Sequence, residues 1–296
     1  MNSTNEILMI RPKAFTFNEE TAEDNLYQVE PSISDKAIQA KALEEFDAMV
    51  EILKNEGVRV NVFQDTLEPE TPDSIFPNNW FSTHYGTLIL YPMFAENRRD
   101  EVDKFKSQLI DLYKPDKIID LSPYADKEIF LESTGAMVFD RDNKKVYVSL
   151  SQRADRNLVD EVAKILGYEA IKFESFQMGE SIYHTNVMMG LSSDLAIIGA
   201  DLIGTKYQDQ VLNSLNQDKK IIELTGQDVL NFAGNVLELQ SSKGNFLLMS
   251  KTAYDNLDKA KLEEIEASLR IVTADIPTIE KYGGGSVRCM VAEIYR

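Results

Sequence analysis

The chain has 296 residues, 43% of them apolar and 27% charged, with a formal net charge of −18. That profile fits a water-soluble globular protein, and its acidity excludes the clustered Lys and Arg that nucleic acids and anionic membrane surfaces demand. No apolar run nears the roughly 18–20 residues needed to span a bilayer, "MNSTNEILMIRPKAF" lacks a basic n-region followed by an apolar h-region, and the lone cysteine forms no internal disulfide; a cytoplasmic protein without nucleic-acid or membrane partners is expected.

In chain order, the N-terminal part predicts a long helix, "DKAIQAKALEEFDAMVEILKNEG", followed by a strand, "VRVNVF". Four segments then begin with small or amide residues, run as a strand, turn and return as a second strand. They are "NNWFSTHYGTLILYPM", "STGAMVFDRDNKKVYVSLS", "TNVMMGLSSDLAIIGA" and "GNVLELQSSKGNFLLMS". After each comes a predicted helix with i, i+3/i+4, i+7 apolar spacing, and then another strand. "RRDEVDKFKSQLIDLY" precedes "KIIDLS", "RADRNLVDEVAKILG" precedes "EAIKFESF", "YQDQVLNSLNQ" precedes "KIIELTG", and "YDNLDKAKLEEIEASL" precedes "IVTADIP". The final "SVRCMVAEIYR" supplies only a first strand.

Asn79, Gly135, Asn186, Asn235 and Arg288 mark the same phase of this pattern, 56, 51, 49 and 53 residues apart. A period near 50 residues signals a repeat architecture. The unit is ββαβ, five times over, and the two chain ends share one unit. One α/β domain over residues 1–296 is therefore expected, a five-bladed pseudo-symmetric α/β propeller. No Gly/Pro/Ser-rich linker divides it, and no G-x-G-x-x-G follows a strand to suggest nucleotide binding.

In such a ring the starts of the first strands converge on one pocket. Glu132, His184 and Cys289 fall at or near three such starts, and His84 at the end of another. A thiol becomes a nucleophile as the thiolate, and a nearby imidazole can take its proton. Gly283, Gly284 and Gly285 allow close backbone approach ahead of the cysteine. Taken alone, each residue has a plain structural alternative: a core cysteine, a hydrogen-bonded histidine, a capping glutamate, a glycine turn. Their shared phase in the repeat favours chemistry. Two histidines and one cysteine without H-E-x-x-H or C-x-x-C spacing make a poor metal site, and no G-x-S-x-G elbow marks a serine hydrolase. No metal and no organic cofactor is expected.

"FPNNWFSTH", "LESTGAMVFDR", "HTNVMM" and "GGGSVRCM", in that order, resemble the guanidino-group modifying superfamily, the pentein fold of arginine deiminases, dimethylarginine hydrolases and amidinotransferases. The resemblance spans nearly the whole chain and is closest to the arginine deiminase-related, citrulline-utilising branch. It implies that Cys289 is the nucleophile, His184 the general acid/base and Glu132 the carboxylate that holds a substrate nitrogen. It further implies that Arg153 grips a substrate α-carboxylate, that Asn78 and Phe81 lie on the substrate side, and that the protein forms a homodimer. Asn25, Gln28 and Asp73 are softer candidates for the pocket rim, and Arg98 and Arg99 are expected in salt bridges.

Two departures bear on the substrate. Guanidine-handling members read F-x-x-D where this chain has Phe81-Ser82-Thr83-His84, and arginine deiminases read H-x-D where it has His184-Thr185-Asn186. A guanidinium carries only donors and a positive charge, so its pocket wants carboxylates. A ureido group is neutral and has an accepting carbonyl, which His84 and Asn186 suit. The expected activity is hydrolysis of the ureido group of citrulline to ornithine, carbon dioxide and ammonia through an S-carbamoyl intermediate. The alternative is a deiminase-like hydrolase or amidinotransferase acting on the guanidino group of arginine or agmatine.

Overall fold

The computed structural model describes residues 3–296. Its first sheet pairs β1 (Glu6–Arg11) in parallel with β2 (Arg59–Gln64), joined by the helix Asp35–Asn55. The next two sheets order as β3 (Phe81–His84), β4 (Thr87–Leu90), β5 (Lys117–Asp120) and as β6 (Met137–Asp140), β7 (Lys145–Ser149), β8 (Glu169–Phe173). A small hairpin, β9 (Phe176–Gln177) and β10 (Glu180–Ser181), follows. Then come β11 (Met189–Leu191), β12 (Leu195–Ile198), β13 (Lys220–Glu223) and β14 (Leu237–Leu239), β15 (Phe246–Ser250), β16 (Arg270–Ala274). The last strand, β17 (Ala292–Glu293), pairs antiparallel with β1. Among the described residues there are thus five three-stranded sheets, each with one antiparallel and one parallel pairing.

The middle strands read as continuous apolar runs, Leu88–Leu90, Val146–Val148 and Leu195–Ile198, and all are buried. Strands covered on both faces read this way. A helix on one side supplies the cover: Asp35–Asn55 buries Ile38, Ala42, Phe46, Met49 and Leu53, a stripe at helical spacing. Ser34 caps its start by accepting from the Ala37 amide, and Gly167 closes the helix Arg156–Leu166 at φ 71°. No helix among the described residues is long and apolar enough to cross a membrane.

Two expectations needed revision. The helix predicted over "YDNLDKAKLEEIEASL" is two helices, Lys251–Asn256 and Lys259–Glu266, because extended Leu257 ends the first and Asp258 caps the second. The small-residue starts of the first strands are single helical turns, Ser133–Ala136 and Thr185–Met188, before the strand begins. Their polar side chains bind backbone of the preceding unit instead of extending a ladder. Thr134 Oγ1 donates to the Asn78 carbonyl, Thr185 Oγ1 to that of Ala136, and Asn235 Nδ2 to that of Asn186. The Arg288 amide donates to Asn235 Oδ1, and Thr83 Oγ1 to the Glu293 carbonyl.

Candidate active site

Beside these turns lies a small cavity whose wall includes Cys289, His184, Arg153, Asn79, Asp73 and Tyr183. Cys289 follows the helix Pro277–Gly283, which Gly284 terminates at φ 63°. A Cβ on Gly284 would lie 2.5 Å from the Asn25 amide nitrogen, and one on Gly283 2.7 Å from the Phe76 ring. The glycine run therefore serves close packing of the turn that carries the thiol. Ser286 fixes this turn: its carbonyl accepts from the Cys289 amide at 2.9 Å, and its hydroxyl donates to buried Glu280 at 2.6 Å.

His184 Nε2 lies 2.6 Å from Glu132 Oε2, with both side chains buried. Burial lowers the His184 pKa from its ordinary value, more than Glu132 raises it. The ring is then neutral at neutral pH, with its proton on Nε2 toward the carboxylate and Nδ1 as an acceptor. Burial also acts to raise the Glu132 carboxyl, but Arg153, the His184 hydrogen bond and Arg98 outweigh it and keep it ionised. The other Glu132 oxygen accepts from the Phe94 amide at 2.9 Å. A fixed carboxylate orienting an imidazole is the arrangement a general base requires.

Four amides complete the site. Asn186 Nδ2 and Asn235 Nδ2 reach Cys289 Sγ at 3.5 and 3.2 Å. Asn79 Oδ1 accepts from Arg98 Nη1 at 2.7 Å, which turns its NH₂ away from the guanidinium. That Nδ2 has no partner, nor have Asn186 Oδ1, Asp73 Oδ1 and both amide atoms of Asn78, although all are buried. Unsatisfied buried polar atoms are costly, and the two that belong to the cavity wall, Asn79 Nδ2 and Asp73 Oδ1, are groups that a ligand can satisfy. A Cβ on Gly135 would meet Asn79 Nδ2 at 2.3 Å and the His184 ring at 2.9 Å, so both face the same small space.

Of the sequence-predicted residues, Cys289, His184, Glu132, Arg153 and Asn186 come together here. Asn78 is buried next to Asn79, which forms the cavity wall in its place. Two others lie apart from these. Phe81 packs in the apolar cluster with Trp80, Leu88 and Leu90 and is core. His84 lies at the far end of β3, its Nε2 2.8 Å from Ser82 Oγ and its Nδ1 3.0 Å from Arg141 Nη1. Three residues of strand at about 3.3 Å each carry it away from the Asn79 end. Arg153 reaches Glu132 at 3.4 Å, but Asp24 already fills its outer edge. Arg98 is in the expected salt bridge, with Glu101 at 2.8 Å; that it also aims Asn79 was not anticipated. Asp73, Asn79 and Asn235 are the residues sequence reasoning undervalued; the amide at the repeat phase was the signal available for two of them.

Among solved structures, the chain is similar to the N-terminal domain of ArgZ, an arginine dihydrolase from the ornithine-ammonia cycle in Cyanobacteria. Identity is 18% and the TM-score 0.76, over 98% of both chains. It is similar to an AgrE variant in complex with L-arginine, at 16% identity and TM-score 0.78, over 98% of this chain and 40% of that one. A dimethylarginine dimethylaminohydrolase adduct with S-methyl-L-thiocitrulline matches at 17% identity and TM-score 0.66, over 99% of this chain and 100% of that one. At such identities the likeness is one of fold. A comparison with curated proteins finds no match. The family model described as "N,N dimethylarginine dimethylhydrolase, eukaryotic" matches residues 11–296. The chain belongs to that family, and so to the pentein superfamily of guanidino-modifying enzymes.

Proposed function

We propose that the chain is a cysteine-dependent C–N hydrolase acting on the ureido group of free citrulline, and that its five sheets close as blades around the cavity. The observation that carries the substrate reading is Asn79. Because Arg98 holds its carbonyl, it offers an N–H donor beside His184. A guanidinium, all donor and positively charged, has no use for a donor there, whereas a ureido oxygen accepts from it. Asn186, whose Nδ2 reaches the thiol, keeps its Oδ1 to accept a ureido N–H. Asn79 thus fills the place that the sequence assigned to His84.

In the proposed reaction His184 Nδ1 takes the Cys289 proton, the thiolate attacks the ureido carbon, and the same proton passes to the departing nitrogen. Water, deprotonated by His184, then attacks the S-carbamoyl carbon, and Cys289 leaves. Carbamate breaks down to carbon dioxide and ammonia. Glu132 keeps His184 in position and also accepts from Arg153 and the Phe94 amide. The unpartnered oxygen of Asp73 is free for the α-ammonium group.

One observation favours the guanidino alternative. Four carboxylates, Asp24, Asp73, Glu101 and Glu132, surround two guanidiniums, Arg98 and Arg153, which leaves the site net negative and suited to a cation. Three of the four are paired with arginine or histidine, so the ureido reading is preferred. Ornithine and ammonia release from citrulline, and citrulline, ornithine and ammonia release from arginine, each measured as kcat/KM, separate the two. Preference for citrulline is expected; preference for arginine would transfer the role of cation partner to Asp73.

A further inference from the structure

The Arg153 guanidinium stands between two cavities. It lines the inner one with Cys289 and His184, and its Nε and Nη2 are both taken by the carboxylate of Asp24, Nε to Oδ2 at 3.0 Å. Asp24 in turn lines an outer cavity with Glu23, Leu26, Gln152 and Glu180, and Tyr183 forms part of both walls. The Asp24–Arg153 pair is thus part of the partition. Arg153 itself is 1% exposed and sits over the Tyr183 ring at 4.8 Å. Its partner is far less anchored. Residues 23–34 carry no helix or strand and are tied down by Asn25 and Gln28 to the carbonyls of Gly283 and Tyr282, by Tyr27 to Gln177, and by the Val29 amide to Lys281.

A two-pronged carboxylate on a guanidinium is also how an amino acid's α-carboxylate is gripped. We propose that Asp24 occupies the subsite of the substrate α-carboxylate and that the two exchange on Arg153, opening the partition as substrate enters and closing it as product leaves. The inference deepens the functional reading and rests on it. Exchange of one carboxylate for another avoids leaving a buried guanidinium unpaired, which would be costly. It also keeps the field at Glu132 and His184 constant through the cycle.

The test compares KM for wild type, Asp24→Asn and Asp24→Glu with citrulline and with N-carbamoylputrescine, which is citrulline without its α-carboxylate. Arginine and agmatine form the matching guanidino pair. In Asp24→Asn the KM of the carboxylate-bearing substrate is expected to fall by about fivefold, as loss of a partly screened competing ion pair implies. That of its decarboxylated partner stays unchanged, and Asp24→Glu restores the wild-type value. An unchanged or raised KM in a folded Asp24→Asn protein, or an equal fall for both partners, contradicts the exchange while leaving the hydrolase reading intact. A wild type that turns over none of the four compounds overturns the functional reading and the exchange with it.

Discussion

At the scale of single residues, the site is defined by which polar atoms lack partners. Asn79 illustrates the point: its neighbour Arg98 decides which face of the amide reaches the cavity. Asn79→Asp would accept from Arg98 with one oxygen and present a second, charged one to the substrate. The ratio of kcat/KM for arginine over citrulline is therefore expected to rise about tenfold or more; no change in that ratio would remove Asn79 from substrate selection. The His184 base carries a pH signature. Its pKa is lowered by burial, so the neutral form persists to lower pH than for an ordinary histidine, and protonation on acidification removes the base. The acid limb of kcat/KM is expected to have its midpoint below about 6.5, and a midpoint above that value would contradict the neutral assignment.

Residue roles were unevenly legible in the sequence. Cys289, His184 and Glu132 stand at matching phases of the repeat, so their convergence could be read before any coordinates. Asn79 and Asp73 could not be ranked, because their roles depend on Arg98 from a following helix and on which atoms remain unsatisfied. His84 was placed in the site on its motif although it falls at a strand end, and in the structure Ser82 and Arg141 hold it at the far end of β3.

At the scale of elements, the segment that delivers Asp73 has little regular structure and depends on one cation. Lys104, on the helix Glu96–Tyr113, sends its ammonium to Asp65 at 2.6 Å, to the carbonyls of Thr66 and Pro69, and to the Thr71 hydroxyl. Both Lys104 and Asp65 side chains are almost fully buried. Lys104→Met leaves Asp65 buried without its counter-ion, at a cost of about 3–5 kcal/mol. A lower melting temperature is expected, together with a raised KM and a largely retained kcat, since the thiol and imidazole lie on other elements. Thermal denaturation and steady-state kinetics check this; loss of kcat at constant KM would show that the loop serves the chemistry directly. The helices and most strands were legible from apolar periodicity. The single helical turns at the strand starts were not, because side-chain bonds between units, such as Thr134 to Asn78, override local extended preference.

At the scale of the whole molecule, each unit is tied to the one before it, and the chain ends meet through β1 and β17. Thr4 and Arg296 reinforce that junction, Thr4 Oγ1 donating to the Ile294 carbonyl and Arg296 pairing with Glu6 at 2.8 Å. This agrees with a repeat whose last unit is assembled from both termini, which the spacing of the amide phase made readable. A net charge of −18 acts against the compact state through self-repulsion. Added monovalent salt shortens the screening length from about 30 Å at 0.01 M to about 10 Å at 0.1 M. The melting temperature is expected to rise across that range, and a fall would mean that specific ion pairs, such as Arg98–Glu101, outweigh the net repulsion.

The central claim is that the sole thiol bonds to the carbon of a ureido substrate. Acid-quenched protein taken during citrulline turnover, digested and analysed by mass spectrometry, tests it most directly. The account predicts the added mass of one carbamoyl group, or of its N-substituted form, on Cys289, and none in His184→Ala. Ornithine release with Cys289 unmodified throughout, or undiminished in Cys289→Ser, would contradict it.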